Sequence, residues 1–120
     1  MKNSNSSSFN KHSITDLTIT ELTTEAIDIG KKDLVGIYFN GSIVSTACAL
    51  ELLVSDDNTT FHTLIATIAI CGSGGLATGD HYLPIDPNLT KGVRYLKIKF
   101  GTGLILDTDT VNVMLRDSAI

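Results

Sequence analysis

"ACALELLVSDDNTTFHTLIATIAI", residues 47–70, is the stretch on which the fold turns, because its first half has two readings. Ala, Leu and Glu favour a helix over 47–55 by intrinsic propensity. Against that, Cys48, Leu50, Leu52 and Val54 alternate with Ala47, Ala49, Glu51 and Leu53, and a period of two belongs to a strand. The run stops at "SDDNTT", whose short polar side chains supply the hydrogen bonds of a tight reversal near Asp56 to Thr60. A second β-rich run, "FHTLIATIAI", follows at 61–70, so a hairpin is expected. Its register sets the first strand against Phe61, Thr63, Ile65 and Thr67 or against the opposite set, and alternation alone leaves that choice open.

The same period recurs on both sides of the hairpin. "VRYLKIKF" (93–100) puts Val93, Tyr95, Lys97 and Lys99 on one side and Arg94, Leu96, Ile98 and Phe100 on the other. "ITDLTIT" (14–20), "EAIDIG" (25–30) and "TVNVMLRD" (110–117) read as further strands, the last with Val111, Val113 and Leu115 on its apolar side. "LVGIYFNG" (34–41) is continuously apolar, as in a strand covered on both faces or lying at a subunit contact. "HYLPIDPNLTKG" (81–92) holds both prolines, Pro84 and Pro87, which confines it to a sheet edge. "GSGGLATG" (72–79), with four glycines, reads as a loop or an irregular crossing between sheets, and "GTG" (101–103) as a turn. Seven or eight short strands without a helical segment give the expected fold: all-β, an antiparallel β-sandwich, jelly-roll-like, as a single domain over residues 13–120. Residues 1–12, rich in Ser and Asn around Phe9, read as a flexible polar arm.

Nine basic against thirteen acidic residues give a net charge of −4, which disfavours attraction to a phosphate backbone, so no nucleic-acid partner is expected. No apolar run reaches membrane-spanning length, and no membrane partner is expected either. Met1, Lys2 and "NSNSSSFN" lack the apolar centre of a secretory signal, which points to synthesis in a cytoplasm. Cys48 and Cys71 sit in apolar runs and read as buried reduced thiols. A disulfide between them requires Cα atoms within about 7 Å of each other.

Chemistry-bearing motifs do not assemble. "CGSGGLATGD" (71–80) lacks the Lys-Ser/Thr that ends a phosphate-binding loop and offers Asp80 instead, and the helix a dinucleotide fingerprint needs is missing. Ser73 stands outside any nucleophile elbow. Asp80 and His81 are adjacent in a strand-like stretch, so they point to opposite faces and do not form an acid–base pair. His12, His62 and His81 lack zinc spacing. Asp107 and Asp109 share a face and could meet Asp56 or Asp57 around a calcium ion only if the loops converge; a solvated acidic turn is the simpler reading. The chain is therefore read as a non-enzyme, without catalytic residues, metal or cofactor.

"TTEAIDIGKKDL" (23–34), "ALELLVSDDNTTFHTL" (49–64), "HYLPIDP" (81–87), "GVRYLKIKFGTG" (92–103) and "TVNVMLRD" (110–117) together resemble the small capsid cement, or decoration, proteins of tailed bacteriophages, of the Bordetella-phage cement type. The loop at 71–80 and the arm with Phe9 depart from that pattern. The resemblance implies a jelly-roll-like domain that binds the outside of an assembled capsid and stabilises the shell. Its implied partners are the major capsid protein and further copies of itself, as a dimer or trimer, and its implied location is the virion exterior. Apolar residues left outside the core pattern are the candidate contacts: Phe9, Leu53, Val93, Tyr95 and Met114. The alternative is a glycan- or receptor-binding module of a phage tail or baseplate, using the loops at 56–60 and 72–80.

Overall fold

In a computed structural model, residues 12–43, 48–64, 68–71, 75–101 and 103–117 are described. Residues 1–11 of the arm, with Phe9, and Ser73 lie outside them, while His12, read as the end of the arm, is the first residue of β1. The strands are β1 (His12–Thr20), β2 (Thr23–Thr24), β3 (Ile27–Asp28), β4 (Lys32–Ile43), β5 (Cys48–Ser55) and β6 (His62–Thr63). After these come β7 (Ile68–Cys71), β8 (Leu76–Pro84), β9 (Tyr95–Phe100), β10 (Leu104–Leu106) and β11 (Thr110–Asp117), with one 3₁₀ turn at Pro87–Thr90. Every pairing is antiparallel.

Several short segments share one position in a sheet. β2 and β3 both lie along β9, β6 and β7 along β5, and β10 and β11 along β4. Counted in chain order, this leaves eight strand positions. A front sheet runs β8, β4, β10/β11, β1, and a back sheet runs β2/β3, β9, β5, β6/β7. In chain-order positions these read sixth, third, eighth, first and second, seventh, fourth, fifth, which is the strand order of a jelly roll. β1 joins the sheets, since its body pairs with β11 and its last two residues with β2.

Period-two burial presses the two layers together. Leu17, Ile37, Phe39, Val111, Val113 and Leu115 from the front sheet meet Leu50, Leu52, Leu96, Ile98 and Phe100 from the back, all buried in one cluster. The rings of Phe39 and Phe100 touch across the layers at 6.1 Å between centroids. Each such side chain contributes about 2 kcal/mol by leaving water. The helix–strand ambiguity of the 47–55 stretch resolves to strand over Cys48–Ser55 for the same reason. Leu50 and Leu52 enter the core opposite Phe100 and Ile98, which a helical period would not allow.

Buried polar groups are satisfied where the layers close. Thr24 Oγ1 accepts from Ile98 N at 2.9 Å, and Thr90 Oγ1 accepts from Leu34 N at 3.0 Å, tying the 3₁₀ turn to β4. Asp33, 1% exposed, meets Lys91 Nζ at 3.1 Å.

Three expectations are corrected. Residues 76–79, read as part of a loop, belong to β8: Leu76 pairs with Ile43 and Gly79 with Gly41, so the ladder to β4 overrides the local glycine signal. The strand expected at 93–100 begins at Tyr95, because Val93 N bonds Thr90 O at 3.1 Å and so closes the preceding turn. Of the strand expected at 25–30 only Ile27–Asp28 pairs, as β3, and the run expected at 61–70 contributes β6 and β7 among its described residues. The hairpin register left open is now defined by Leu53 opposite Thr63 and Val54 opposite His62. Cys48 and Cys71 are register partners of β5 and β7. Antiparallel partners lie about 4.5–5.5 Å apart at Cα, inside the limit for a disulfide.

Candidate binding faces

The front sheet's outer face is a lattice set by register. Across one level stand Tyr82, Tyr38, Asn112 and Asp16, from four different strands, and across the next Pro84, Gly36, Met114 and Ile14. Asn40 and Asp80 lie beside Tyr38 and Tyr82 on the other flank. The two tyrosine rings meet at 4.6 Å, tilted by 46°. The Tyr82 hydroxyl donates to Val35 O at 3.2 Å and lies over Gly36, where a Cβ would collide with it. Val35 is the bulged residue of β4 opposite the step from Met114 to Leu115, and its carbonyl also accepts from Ile85 N at 3.0 Å.

Two carboxamide–carboxylate pairs complete this face: Asn40 Nδ2 donates to Asp80 Oδ1, and Asn112 Nδ2 donates to Asp16 Oδ1. Between them opens a cleft of about 550 Å³ whose walls include Ile14, Tyr38, Asn40, Asp80, Thr108 and Asn112. The large apolar side chains most exposed among the described residues, Ile14 (60%), Ile105 (53%) and Tyr82 (45%), all stand on this face.

The back sheet's outer face differs in kind. Tyr95, Lys97 and Lys99 project from β9, with Leu53 and Glu51 of β5 as their neighbours and Thr63 beside Leu53. Arg94 Cζ sits 5.2 Å from the Tyr95 ring centroid and Lys97 Nζ 4.5 Å from that of Phe61. Arg94 also grips Asp28, Nη2 to Oδ2 at 3.2 Å, and this bond is the main reason the Asp28 carboxyl is held below its ordinary range. Leu53, Tyr95 and Phe61 are thus interleaved with the cations Arg94 and Lys97.

The sequence-derived contact residues therefore fall on two faces. Leu53 and Tyr95 share the back face; Val93, just before β9, packs partly against the core. Met114 stands on the front face between Gly36 and Ile14. The loops considered for glycan contact separate likewise. In the turn at 56–60, Asp57 Oδ1 accepts from Ser55 Oγ, Thr59 N and Thr60 N, each at 2.9 Å. These bonds, the backbone ones first, hold its carboxyl below the ordinary value. Asp57 is committed to its own turn, while Asp80 belongs to the front sheet.

Asp80 and His81 diverge as adjacent strand residues must. Asp80 bonds Asn40 on the outer face, whereas His81 packs near Phe39, 5.3 Å between centroids, with its Nε2 2.8 Å from Ala77 O. Among the described residues no three His, Cys, Asp or Glu side chains gather in a way that could hold a metal ion, so Asp107 and Asp109 do not form such a group with Asp56 or Asp57.

Sequence reasoning missed the front-face group of Tyr38, Asn40, Asp80, Asn112 and Asp16. Its members come from four strands far apart in the chain, and only the strand order makes them neighbours. What fold and faces together define is a jelly-roll domain with two chemically distinct outer surfaces. Compared with known protein families, with curated proteins and with solved structures, the chain matches none.

Proposed function

We propose that this chain is a structural virion protein that binds the outer surface of a phage capsid and stabilises the shell. The observation that carries the reading is the strand order: the resemblance of residues 23–117 implies a jelly roll, and the pairing of the strands has that topology. Fold likeness alone does not define a function, so the reading is tied to a surface. That surface is the outer face of the back sheet, where Tyr95, Leu53 and Phe61 are interleaved with Arg94 and Lys97. Aromatic side chains and Arg are the usual anchors of protein interfaces.

The mechanism is physical. A copy that binds only the assembled shell shifts assembly by mass action, and a small oligomer, dimer or trimer, engages several shell subunits at once so that modest contacts add. The partner is the major capsid protein, on the virion exterior.

The test is reconstitution. Capsids lacking the protein are mixed with the wild type and with Leu53→Asp and Tyr95→Ala variants, and bound copies and the shell's disruption temperature are measured. Wild type is expected to bind and raise that temperature, and both variants to bind at least tenfold more weakly, the equivalent of about 1.4 kcal/mol. Shells equally heat-resistant with and without the protein would refute the proposal. Labelling confined to the tail tip would replace it with the receptor-binding reading.

A further inference from the structure

We infer that the cleft on the front sheet is a binding site for a neutral saccharide. The argument is independent of the shell contact, which uses the opposite face. The cleft's volume of about 550 Å³ suits a small ligand, and its lining mixes apolar walls with a few placed polar groups.

Charge selects the ligand class. Asp80 belongs to the lining with His81, and Asp16 stands beside Asn112, while among the described residues no Lys or Arg lines the cleft, so phosphates, sulfates and carboxylates are disfavoured. A metal ion is not favoured, since among the described residues no three His, Cys, Asp or Glu side chains gather to hold one. A sugar hydroxyl needs both a donor and an acceptor, and each Asn–Asp pair sets these side by side. A carboxylate has about four acceptor sites and a carboxamide two hydrogens, so each pair keeps capacity after its internal bond. The two pairs flank Tyr38, whose ring sits against Tyr82 at 4.6 Å, with Ile14 exposed on the far side. An aromatic face carries partial negative charge and attracts the C–H-rich face of a pyranose, while Ile14 covers its edge.

The site is also held ready. The Tyr82 hydroxyl is anchored on Val35 O, and both Asn side chains are oriented by their carboxylates, so little side-chain entropy is lost when a ligand enters.

The experiment uses the full chain. Saturation-transfer NMR and titration are run with the methyl glycosides of glucose, galactose, mannose and N-acetylglucosamine, and with glucuronate and sialic acid as anionic counterparts. At least one neutral glycoside is expected to bind saturably with a Kd of order millimolar and to shift the Tyr38 and Tyr82 ring signals. Asp80→Asn, which preserves shape, and Asn112→Ala are expected to weaken binding about tenfold each, as loss of a hydrogen bond to a charged or amide group would. Tyr95→Ala on the opposite face should leave it unchanged. Absence of saturable binding by every neutral glycoside, tighter binding of the anions, or affinity unaltered in both cleft variants would overturn the inference. Should a variant fail to fold, the wild-type ring shifts decide: perturbation confined to residues outside the cleft counts against it.

Discussion

Asp57 shows how a single side chain can stabilise a reversal. Its carboxylate gathers Thr59 N, Thr60 N and Ser55 Oγ, and Asn58 between them takes a positive φ of 61°, a conformation Asn tolerates. Because these bonds favour the charged form, the folded-state pKa lies below the ordinary 3.8. The stability this linkage adds is complete above that ordinary value and drains away as pH falls through the lower folded one. Thermal unfolding scanned from pH 6 down to about 2 should therefore show a loss below pH ~4 that is smaller in Asp57→Asn than in the wild type. Gly41 is constrained from outside. A Cβ there would run into the Ile105 carbonyl of β10, a backbone atom that cannot swing aside. Gly41→Ala is expected to cost about 1–3 kcal/mol by overpacking, read as a lower midpoint in urea.

At the scale of elements, the β1–β2 connection is tighter than its residues advertise. Glu21 and Leu22 both carry positive φ, 52° and 67°, as the two central residues of a type I′ turn do, although neither is a residue that turn prefers. Leu22 is retained by packing against the core, whereas exposed Glu21 has no such compensation. Glu21→Asn should raise stability by about 0.5–1 kcal/mol, measurable as a higher Tm. One hydroxyl ties the 3₁₀ turn at Pro87–Thr90 to β4: Thr90 Oγ1 accepts from Leu34 N and donates to Pro87 O. Thr90→Val keeps the shape but strands a buried N–H, and should cost about 1–3 kcal/mol by equilibrium unfolding, with faster hydrogen exchange at Leu34.

For the whole molecule the decisive contact is between layers. Phe100, on the back sheet, touches Phe39 on the front and pairs with Leu50 in its own sheet, and it is 2% exposed. Phe100→Ala is expected to remove about 3–5 kcal/mol. Against a total stability of about 5–15 kcal/mol for a domain, that loss should leave a measurable unfolded fraction at 37 °C by circular dichroism. The two outer faces are in turn by-products of that core. Once Leu96, Ile98 and Phe100 turn inward, Tyr95, Lys97 and Lys99 must turn outward, and the same holds for Tyr38 and Asn40 once Ile37 and Phe39 are buried.

Period two was legible in the chain by itself. It determined that 48–55 is a strand, that Leu96, Ile98 and Phe100 are core, that "SDDNTT" is a self-bonded turn and that the whole is a β-sandwich, because each of these depends on neighbours within a few residues. Residues 76–79 went astray for the complementary reason: Gly79 and the glycines just before the stretch are local loop signals, and only the ladder to β4 overrides them. Which strands lie side by side, and with what register, is a property of contacts between distant segments whose energy no local pattern encodes. The tertiary structure alone therefore decided that Leu53 and Tyr95 share one face while Met114 occupies the other, and that Asn40, Asp80 and Asn112, the last bonded to Asp16, line a single cleft.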